Sequence, residues 1–183
     1  HLIRSALLSK LNNPRFAYIA PTFKQAKSIA WDYMKQFTAK IPHTKFNETE
    51  LRVDLPNGSR ITLLGSESPD GLRGIYLDGC VIDEYANVNS KLFPEIIRPA
   101  LSDRKGYCVF IGTPMGMNNN FYELYQHAQG KEDWFNYKAK ASDTNIVDED
   151  ELVKAKEVMG DKKYLQEFEC DWIANIEGAV YGD

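Results

Sequence analysis

Two adjacent carboxylates, Asp83 and Glu84, follow the apolar run Cys80-Val81-Ile82. Such a run predicts a buried strand, and ligands of open parallel sheets bind at the carboxyl ends of the strands. Hydrolysis of a nucleotide needs one carboxylate to hold Mg²⁺, directly or through water, and a second to orient or deprotonate the attacking water. Asp83 and Glu84 could divide these roles. Taken alone, the pair is explained equally well as the start of a polar loop.

Two weaker candidates lie on either side of this pair. Gly112 and Thr113 follow another all-apolar strand, predicted for 107–111, and a hydroxyl there could contact the terminal phosphate of a nucleotide. In isolation, a turn capped by Thr113 is the better explanation. Arg73 lies on a glycine-flanked loop, from which a guanidinium could reach a phosphate held by a neighbouring subunit. A solvated loop charge is the commoner fate of a single arginine.

A fourth candidate is the junction after a predicted strand at 16–20. Thr22 and Gln25 have the spacing of a capping box, which predicts that a helix begins there. A helix N-terminus can bind phosphate, so this junction, with Lys24 and Lys27, could contact a DNA backbone. Simple capping by Thr22 needs no ligand, and for Thr22 we favour that explanation.

The remaining patterns predict the elements that would position these residues. Asn57-Gly58 between alternating apolar residues predicts a β-hairpin at 50–65. Further strands are predicted at 134–141 and 171–176, and helices at 90–101, 119–129, 148–159 and 161–169. The helix after Thr22 should present one apolar side made of Ala26, Ile29, Ala30, Tyr33, Met34 and Phe37. Central strands flanked by helices indicate an α/β fold with a parallel sheet.

Composition excludes several classes of protein. The chain has 183 residues and a formal net charge of −4, which argues against a histone-like or tail-type nucleic-acid binder but not against a local basic groove. Its three cysteines are widely spaced and its three histidines are scattered, so neither a disulfide framework nor a zinc site is expected. No apolar run approaches the roughly 20 residues that would span a membrane.

Taken together, these motifs resemble the ATPase domain of phage terminase large subunits, the motors that package viral DNA. The resemblance depends on the order and spacing of several stretches, namely 18–22 with Gln25, Ala26 and Trp31, then 51–58, 72–79, 81–86, 97–101, 110–114 and 166–170. It implies a P-loop NTPase-like core of the ASCE or RecA-like kind, with a β-hairpin insertion and a small C-terminal subdomain. The expected domains are a partial ATPase core at 1–130 and a small lid or linker subdomain at 131–183.

The same resemblance implies a role for each candidate residue. Asp83 is similar to the Walker B aspartate that holds Mg²⁺ through water, and Glu84 to the catalytic glutamate that activates water. Gly112, Thr113 and Pro114 are similar to the motif that couples hydrolysis to movement, and Gly112 and Thr113 are expected to contribute to nucleotide binding. Arg73 is similar to the arginine supplied in trans around the motor ring. ATP and Mg²⁺ are the implied cofactors.

The chain departs from the family pattern at one point, since it contains no Gly-rich P-loop ending in Gly-Lys-Ser/Thr. The stretch 1–11 resembles the helix that follows the P-loop. The family's first strand, its P-loop and its adenine-contacting region are therefore expected before His1, and its RNase H-like nuclease domain after Asp183. The fragment alone is expected to be inactive as an ATPase.

The full-length parent implied by the resemblance is a Mg²⁺-dependent ATPase that translocates double-stranded DNA into procapsids. Its expected partners are DNA, the portal protein, the terminase small subunit and further copies of itself in a ring, with no membrane contact. Its expected location is the host cytoplasm, at the procapsid portal. Two other classes stay open, a metal-dependent nuclease that uses Asp78, Asp83, Glu84 and Asp103, and a non-catalytic module that binds DNA or a partner protein.

Overall fold

The computed structural model describes residues 1–173. They belong to two compact units, His1–Ile111 and a second unit that begins at Gly112. The strands are β1 (Arg15–Ala20), β2 (Lys45–Asn47), β3 (Arg52–Asp54), β4 (Arg60–Gly65), β5 (Gly79–Ile82) and β6 (Tyr107–Phe110). The α-helices are α1 (Leu2–Leu8), α2 (Phe23–Ala26), α3 (Asp32–Thr38), α4 (Arg98–Ser102), α5 (Asn120–His127), α6 (Ala141–Thr144), α7 (Glu149–Met159) and α8 (Asp161–Phe168). The predicted boundary between residues 130 and 131 stays a prediction.

All six strands form one sheet in the order β2-β3-β4-β1-β5-β6. β1 is parallel to both β4 and β5, and β5 is parallel to β6. β2 and β3 add an antiparallel extension at the β4 side. The predicted α/β fold with a mostly parallel sheet is therefore confirmed. Because the central strands are parallel, their carboxyl ends meet at one edge, which we call the carboxyl edge.

The β-hairpin predicted at 50–65 is formed by β3 and β4. The turn closes through a hydrogen bond from the Gly58 amide to the Leu55 carbonyl, 3.0 Å long, and Gly58 has a φ of +84°. Only glycine adopts that conformation without strain, which explains why the Asn-Gly signal was reliable. The Asn57 side chain also donates to the Ala6 carbonyl of α1 over 2.9 Å.

The helix that follows β1 begins where the capping box predicts, but its buried side differs from the prediction. Between α2 and α3 lies a π-helical turn, Lys27–Trp31, which adds one residue to the helical repeat. The side chains buried by this helix are Ala26, Trp31, Met34 and Thr38, whereas Ile29, Tyr33 and Phe37 are exposed. Ala26 and Met34 are thus buried as predicted, and Ala30 packs against the core. The prediction was wrong for Ile29, Tyr33 and Phe37, because a regular 3.6-residue repeat was assumed across the wide turn.

Helical segments cover the sheet on both faces. Phe16 and Ala20 of β1 pack in one cluster with Leu2 of α1 and with Trp31 and Met34. Val81 of β5 packs against the same cluster. Cys80 and Ile82 flank Val81 in the strand and therefore point to the other face. There a π-helical turn, Leu92–Ile97, leads into α4, and the Phe93 ring meets the Phe110 ring of β6 at 4.7 Å. β1 and β5 are thus the buried centre of the unit.

The second unit contains α5 to α8 and an aromatic cluster in which Trp172 contacts Phe121, Tyr122 and Tyr125. The strand predicted at 134–141 is wrong, because 134–140 is irregular and α6 begins at Ala141. Phe135, within this stretch, is 86% exposed. Asp171–Ile173 is not a strand, and 174–176 lie outside the described residues. None of the helices in the described residues has the length and apolar character needed to span a membrane.

Candidate active site

Asp83 and Glu84 lie at the carboxyl edge, directly after the central strand β5. The backbone amide of Asp83 donates to the Ile19 carbonyl of β1 over 2.8 Å, which continues the ladder one residue beyond the strand. Asp83 is therefore held by the sheet, although its side chain is only partly buried. This position matches the one that the apolar run before the two carboxylates predicts.

The Asp83 carboxylate is held through both of its oxygens. Oδ1 accepts a hydrogen bond from the Glu84 amide over 2.9 Å. Oδ2 accepts a hydrogen bond from the phenol of Tyr18 on β1. Each carboxylate oxygen can accept more than one hydrogen bond or bind a cation as well, so these two contacts orient the group without exhausting its capacity.

Glu84 breaks the extended conformation of the strand. Its φ and ψ are +49° and +45°, in the left-handed region that a residue with a side chain rarely adopts. A short 3₁₀ turn, Tyr85–Asn87, follows and is anchored by the Tyr85 amide, which donates to the Ile111 carbonyl over 3.1 Å. Such conformations cost of order 1–3 kcal/mol and cluster at functional sites. Because of this backbone conformation, the Glu84 side chain does not continue the alternating in-and-out pattern of the side chains in β5.

Tyr18 is a site residue for which the sequence assigned no role. Burial is the main cause that raises the pKa of its phenol, followed by the hydrogen bond to Asp83 and the negative charges of Asp83 and Glu84. The phenol therefore stays protonated and donates at physiological pH. In the sequence, the only indication of this role is the hydroxyl of Tyr18 within the otherwise apolar stretch 16–20. The pairing of Tyr18 with Val81 becomes visible only once the strand register is known.

β6 runs parallel to β5 and ends at the same edge, where the Ile111 amide donates to the Ile82 carbonyl over 3.0 Å. Gly112 and Thr113 follow Ile111 and are the first residues of the second unit. The strand that leads to them is thus where the sequence predicts it. The phosphate-sensing and coupling roles of Gly112 and Thr113 stay predictions.

Arg73 lies in the loop after a 3₁₀ turn, Pro69–Leu72, in the first unit. Its side chain is 54% exposed and forms ion pairs with Asp70 over 2.8 Å and with Glu95 over 3.5 Å. The hydrogen bond and charge of Asp70, and then the charge of Glu95, raise the pKa of the Arg73 guanidinium. Arg73 is therefore a surface arginine held by two carboxylates, which is compatible with contact to a neighbouring subunit.

Comparison with known proteins identifies the family. The family model described as "Terminase large subunit, T4likevirus-type, N-terminal" matches residues 4–181. This chain belongs to the terminase large subunit family. The terminase large subunit of Thermus phage G20c is 30% identical to it over 126 residues, and the match covers 58% of this chain and 26% of that protein. The chain thus corresponds to only a part of the terminase relative that it matches.

Solved terminase structures have the same fold. The large terminase ATPase domain of Thermus phage P74-26 superposes with a TM-score of 0.74 at 20% identity, covering 92% of this chain and 80% of that domain. The large terminase of another thermophilic bacteriophage, in complex with ADP, superposes with a TM-score of 0.71 at 15% identity, covering 90% of this chain and 42% of that one. The sheet described above is therefore a terminase ATPase-type, P-loop NTPase-like fold.

The start of α2 in this terminase chain already has its capping partners. The Thr22 hydroxyl accepts from the Gln25 amide over 3.1 Å. The Phe23 amide donates to the Glu67 carboxylate over 2.9 and 3.1 Å. A carboxylate therefore occupies the place where a phosphate would bind, and the structure supports capping as the role of Thr22.

The donor set at the carboxyl edge fits Mg²⁺ that arrives with a nucleotide. Carboxylate oxygens are hard ligands, and Mg²⁺ in phosphoryl-transfer sites is held by one or two carboxylates together with the substrate phosphates. Across residues 1–173, no three His, Cys, Asp or Glu side chains are grouped so that they could hold a metal ion.

Asp78, one of the four carboxylates considered for a nuclease, lies at the opposite end of β5. It precedes Gly79, and its side chain is buried. Its Oδ2 accepts from the Arg15 amide over 2.7 Å, and its Oδ1 pairs with Arg104 over 3.5 Å. Asp103 lies in the turn before β6, at that same far end. Asp78 and Asp103 therefore do not join Asp83 and Glu84.

Proposed function

We propose that this chain is part of the ATP-hydrolysing motor of a viral terminase large subunit, which translocates double-stranded DNA into procapsids. The observation that carries this proposal is the Asp83–Glu84 pair at the carboxyl edge of a parallel sheet, in a chain of the terminase family. The ADP complex of the thermophilic-phage large terminase supports ATP as the nucleotide. The carboxylate donor set supports Mg²⁺ as its companion ion.

Asp83 and Glu84 divide the work at this edge. Asp83, oriented by Tyr18 and by the Glu84 amide, holds Mg²⁺ through water. Glu84, turned out of the strand by its left-handed backbone, accepts the proton of the attacking water. When bound, Mg²⁺ neutralises negative charge on the phosphates.

Arg73 acts on a neighbouring copy, and Gly112 and Thr113 link the site to movement. The exposure of the Arg73 guanidinium supports action in trans, with Asp70 and Glu95 holding the side chain until a phosphate replaces them. Gly112 and Thr113 follow the strand beside β5 and begin the second unit. The backbone at Ile111 therefore connects the carboxyl edge to that unit.

The parent protein supplies what this chain does not contain. A segment outside the chain provides the P-loop, because no Gly-Lys-Ser/Thr cradle is present in the sequence. The parent assembles as a ring, engages double-stranded DNA, the portal protein and the small subunit, and works in the host cytoplasm at the procapsid portal. Within this chain, 1–130 is the partial ATPase core and 131–183 is the small lid or linker subdomain. The chain alone has no appreciable ATPase activity.

Two isosteric substitutions in the full-length parent test the proposal. Glu84→Gln should lower kcat by at least about 100-fold, the smaller end of what a general base contributes, while nucleotide binding persists. Asp83→Asn should weaken binding of Mg²⁺-nucleotide as well. Asp103→Asn, an exposed carboxylate at the far end of the sheet, is the matched control and should change neither. Full hydrolysis by Glu84→Gln would reject the proposed role, and equal loss of binding in both site variants would reject the division of labour.

A further inference from the structure

The contact between Tyr18 and Asp83 joins residues that are 65 positions apart in the sequence. Tyr18 lies beside Val81 in the parallel register of β1 and β5. Asp83 is two residues beyond Val81, so the two side chains emerge on the same face of the sheet. A phenol is long enough to cover this diagonal, whereas the shorter Ser or Thr side chain would not reach.

The location of Tyr18 makes its hydroxyl informative. Its neighbours in β1 are Phe16, Ala17, Ile19 and Ala20, all of which are buried. Phenylalanine would satisfy the packing of such a strand equally well. The hydroxyl is therefore explained by its single acceptor, the Asp83 Oδ2, and because an ordinary phenol has a pKa near 10 it donates to that oxygen at neutral pH.

The two donors that hold Asp83 come from different parts of the chain. The Glu84 amide binds Oδ1, and the Tyr18 phenol binds Oδ2. One contact alone would leave the carboxylate free to rotate about its Cβ–Cγ bond. Two donors on two different oxygens fix the plane of the carboxylate. The Asp83 backbone is fixed in addition by the Ile19 carbonyl.

We infer that Tyr18 is the positioning residue that orients the Asp83 carboxylate for binding of Mg²⁺-nucleotide. This inference rests on the function proposed above, in which Asp83 holds the ion through water. Tyr18 itself touches neither the nucleotide nor the reacting water and acts only through Asp83. Removing a residue that orients a metal-binding group costs 10–100-fold in metal affinity in typical sites.

The test compares Tyr18→Phe with Tyr76→Phe in the full-length parent. Both changes remove one phenol hydroxyl, and the Tyr76 hydroxyl donates to the Asn13 carbonyl, away from Asp83. ADP affinity is measured by calorimetry with Mg²⁺ and with a chelator. In Tyr18→Phe, the gain in affinity that Mg²⁺ confers should fall about tenfold, with affinity for metal-free ADP unchanged. In Tyr76→Phe, both affinities should stay at the level of the unsubstituted protein.

Two further measurements decide between positioning and mere packing. If Tyr18 acts through Asp83, Tyr18→Phe should have no further effect on the Mg²⁺ gain in an Asp83→Asn background. The thermal unfolding midpoint, measured on the same samples, should change little in Tyr18→Phe. An unchanged Mg²⁺ gain, or equal losses with and without Mg²⁺ that accompany a lower midpoint, would overturn the inference. If the unsubstituted parent bound no nucleotide, the proposed function would fail, and the inference would fail with it.

Discussion

The two ends of β5 carry the same residue type in two different settings. Asp78 precedes the strand, is 3% exposed at its side chain, forms an ion pair with the Arg104 guanidinium and accepts a hydrogen bond from the Arg15 amide. Asp83 follows the strand, is partly exposed, and is held by a phenol and an amide, both of which are uncharged. The Asp78 carboxylate is therefore paired with a cation of the fold itself, whereas the Asp83 carboxylate is oriented by uncharged donors and left available for an added cation. Orientation without neutralisation is what distinguishes the candidate site from the structural aspartate.

The largest expected effect concerns Arg73, which is proposed to act on the carboxyl edge of a neighbouring subunit. Arg73→Ala in the full-length parent should lower ATP hydrolysis by about 10³–10⁵-fold, the range for arginines that act in trans, and should spare nucleotide binding. Arg73→Lys should restore little, since lysine lacks the planar fork of the guanidinium. The measurement is steady-state hydrolysis together with equilibrium nucleotide binding.

Mixing of subunits shows whether Arg73 acts across an interface. Rings assembled from Arg73→Ala and Glu84→Gln subunits, each inactive alone, should regain partial activity wherever an intact Arg73 meets an intact Glu84. If verified mixed rings stay inactive, Arg73 acts on its own site or serves only the loop in which Asp70 holds it.

A pair of isosteric substitutions tests most directly whether the two aspartates differ in function. Asp83→Asn should lower affinity for Mg²⁺-nucleotide by about 10–100-fold with little change in the unfolding midpoint, because the amide replaces a charge that the fold does not use. Asp78→Asn should leave that affinity unchanged. Calorimetric titration with Mg²⁺-ADP measures both. Equal affinity losses in the two variants would mean that both ends of β5 serve binding.

Substitution of Asp78 should instead affect the stability of the fold. Asp78→Asn should lower the free energy of unfolding by about 2 kcal/mol, because a buried group loses a charged hydrogen bond to Arg104. Arg104→Met should cost a similar amount by leaving Asp78 buried without its cation. The double variant should lose less than the sum of the two, as judged from thermal unfolding. Strictly additive losses would show that the pair contributes no coupling.

The smallest expected effect concerns Thr22 and tests whether the functional site extends to the start of α2. Thr22→Ala should cost about 1 kcal/mol of stability, the usual value of a lost helix cap, and leave nucleotide affinity unchanged. Thr22→Ser is the control, since it keeps a hydroxyl that can accept from the Gln25 amide. A clear loss of nucleotide affinity in Thr22→Ala would extend the site to the start of α2.

Sequence patterns predicted the features that local chemistry decides. The apolar run before Asp83, the Asn57-Gly58 turn and the Thr22 cap each depend on neighbouring residues, and the structure contains all three. The contacts of Tyr18 and of Asp78 could not be predicted, because they depend on the register between distant strands and on a turn 26 residues away.

Two further features of the structure depend on contacts that have no local signal in the sequence. A strand was predicted at 134–141, but a strand also requires a partner for its backbone, which a local sequence pattern does not reveal. The Arg73 loop was predicted to be exposed, which it is, yet its pairing with Glu95 joins residues 22 positions apart and carries no local signal.

The wide turn at Lys27–Trp31 also determines where this domain tolerates a change in chain length. A π-helical turn is an α-helical turn with one residue added. Deleting one residue there would give a continuous α-helix from α2 to α3 and leave the faces of both segments unchanged. A one-residue deletion in β1 or β5 would instead reverse every side chain beyond it and separate Tyr18 from Asp83. Length variation between relatives should therefore accumulate in this helix and be absent from the two central strands.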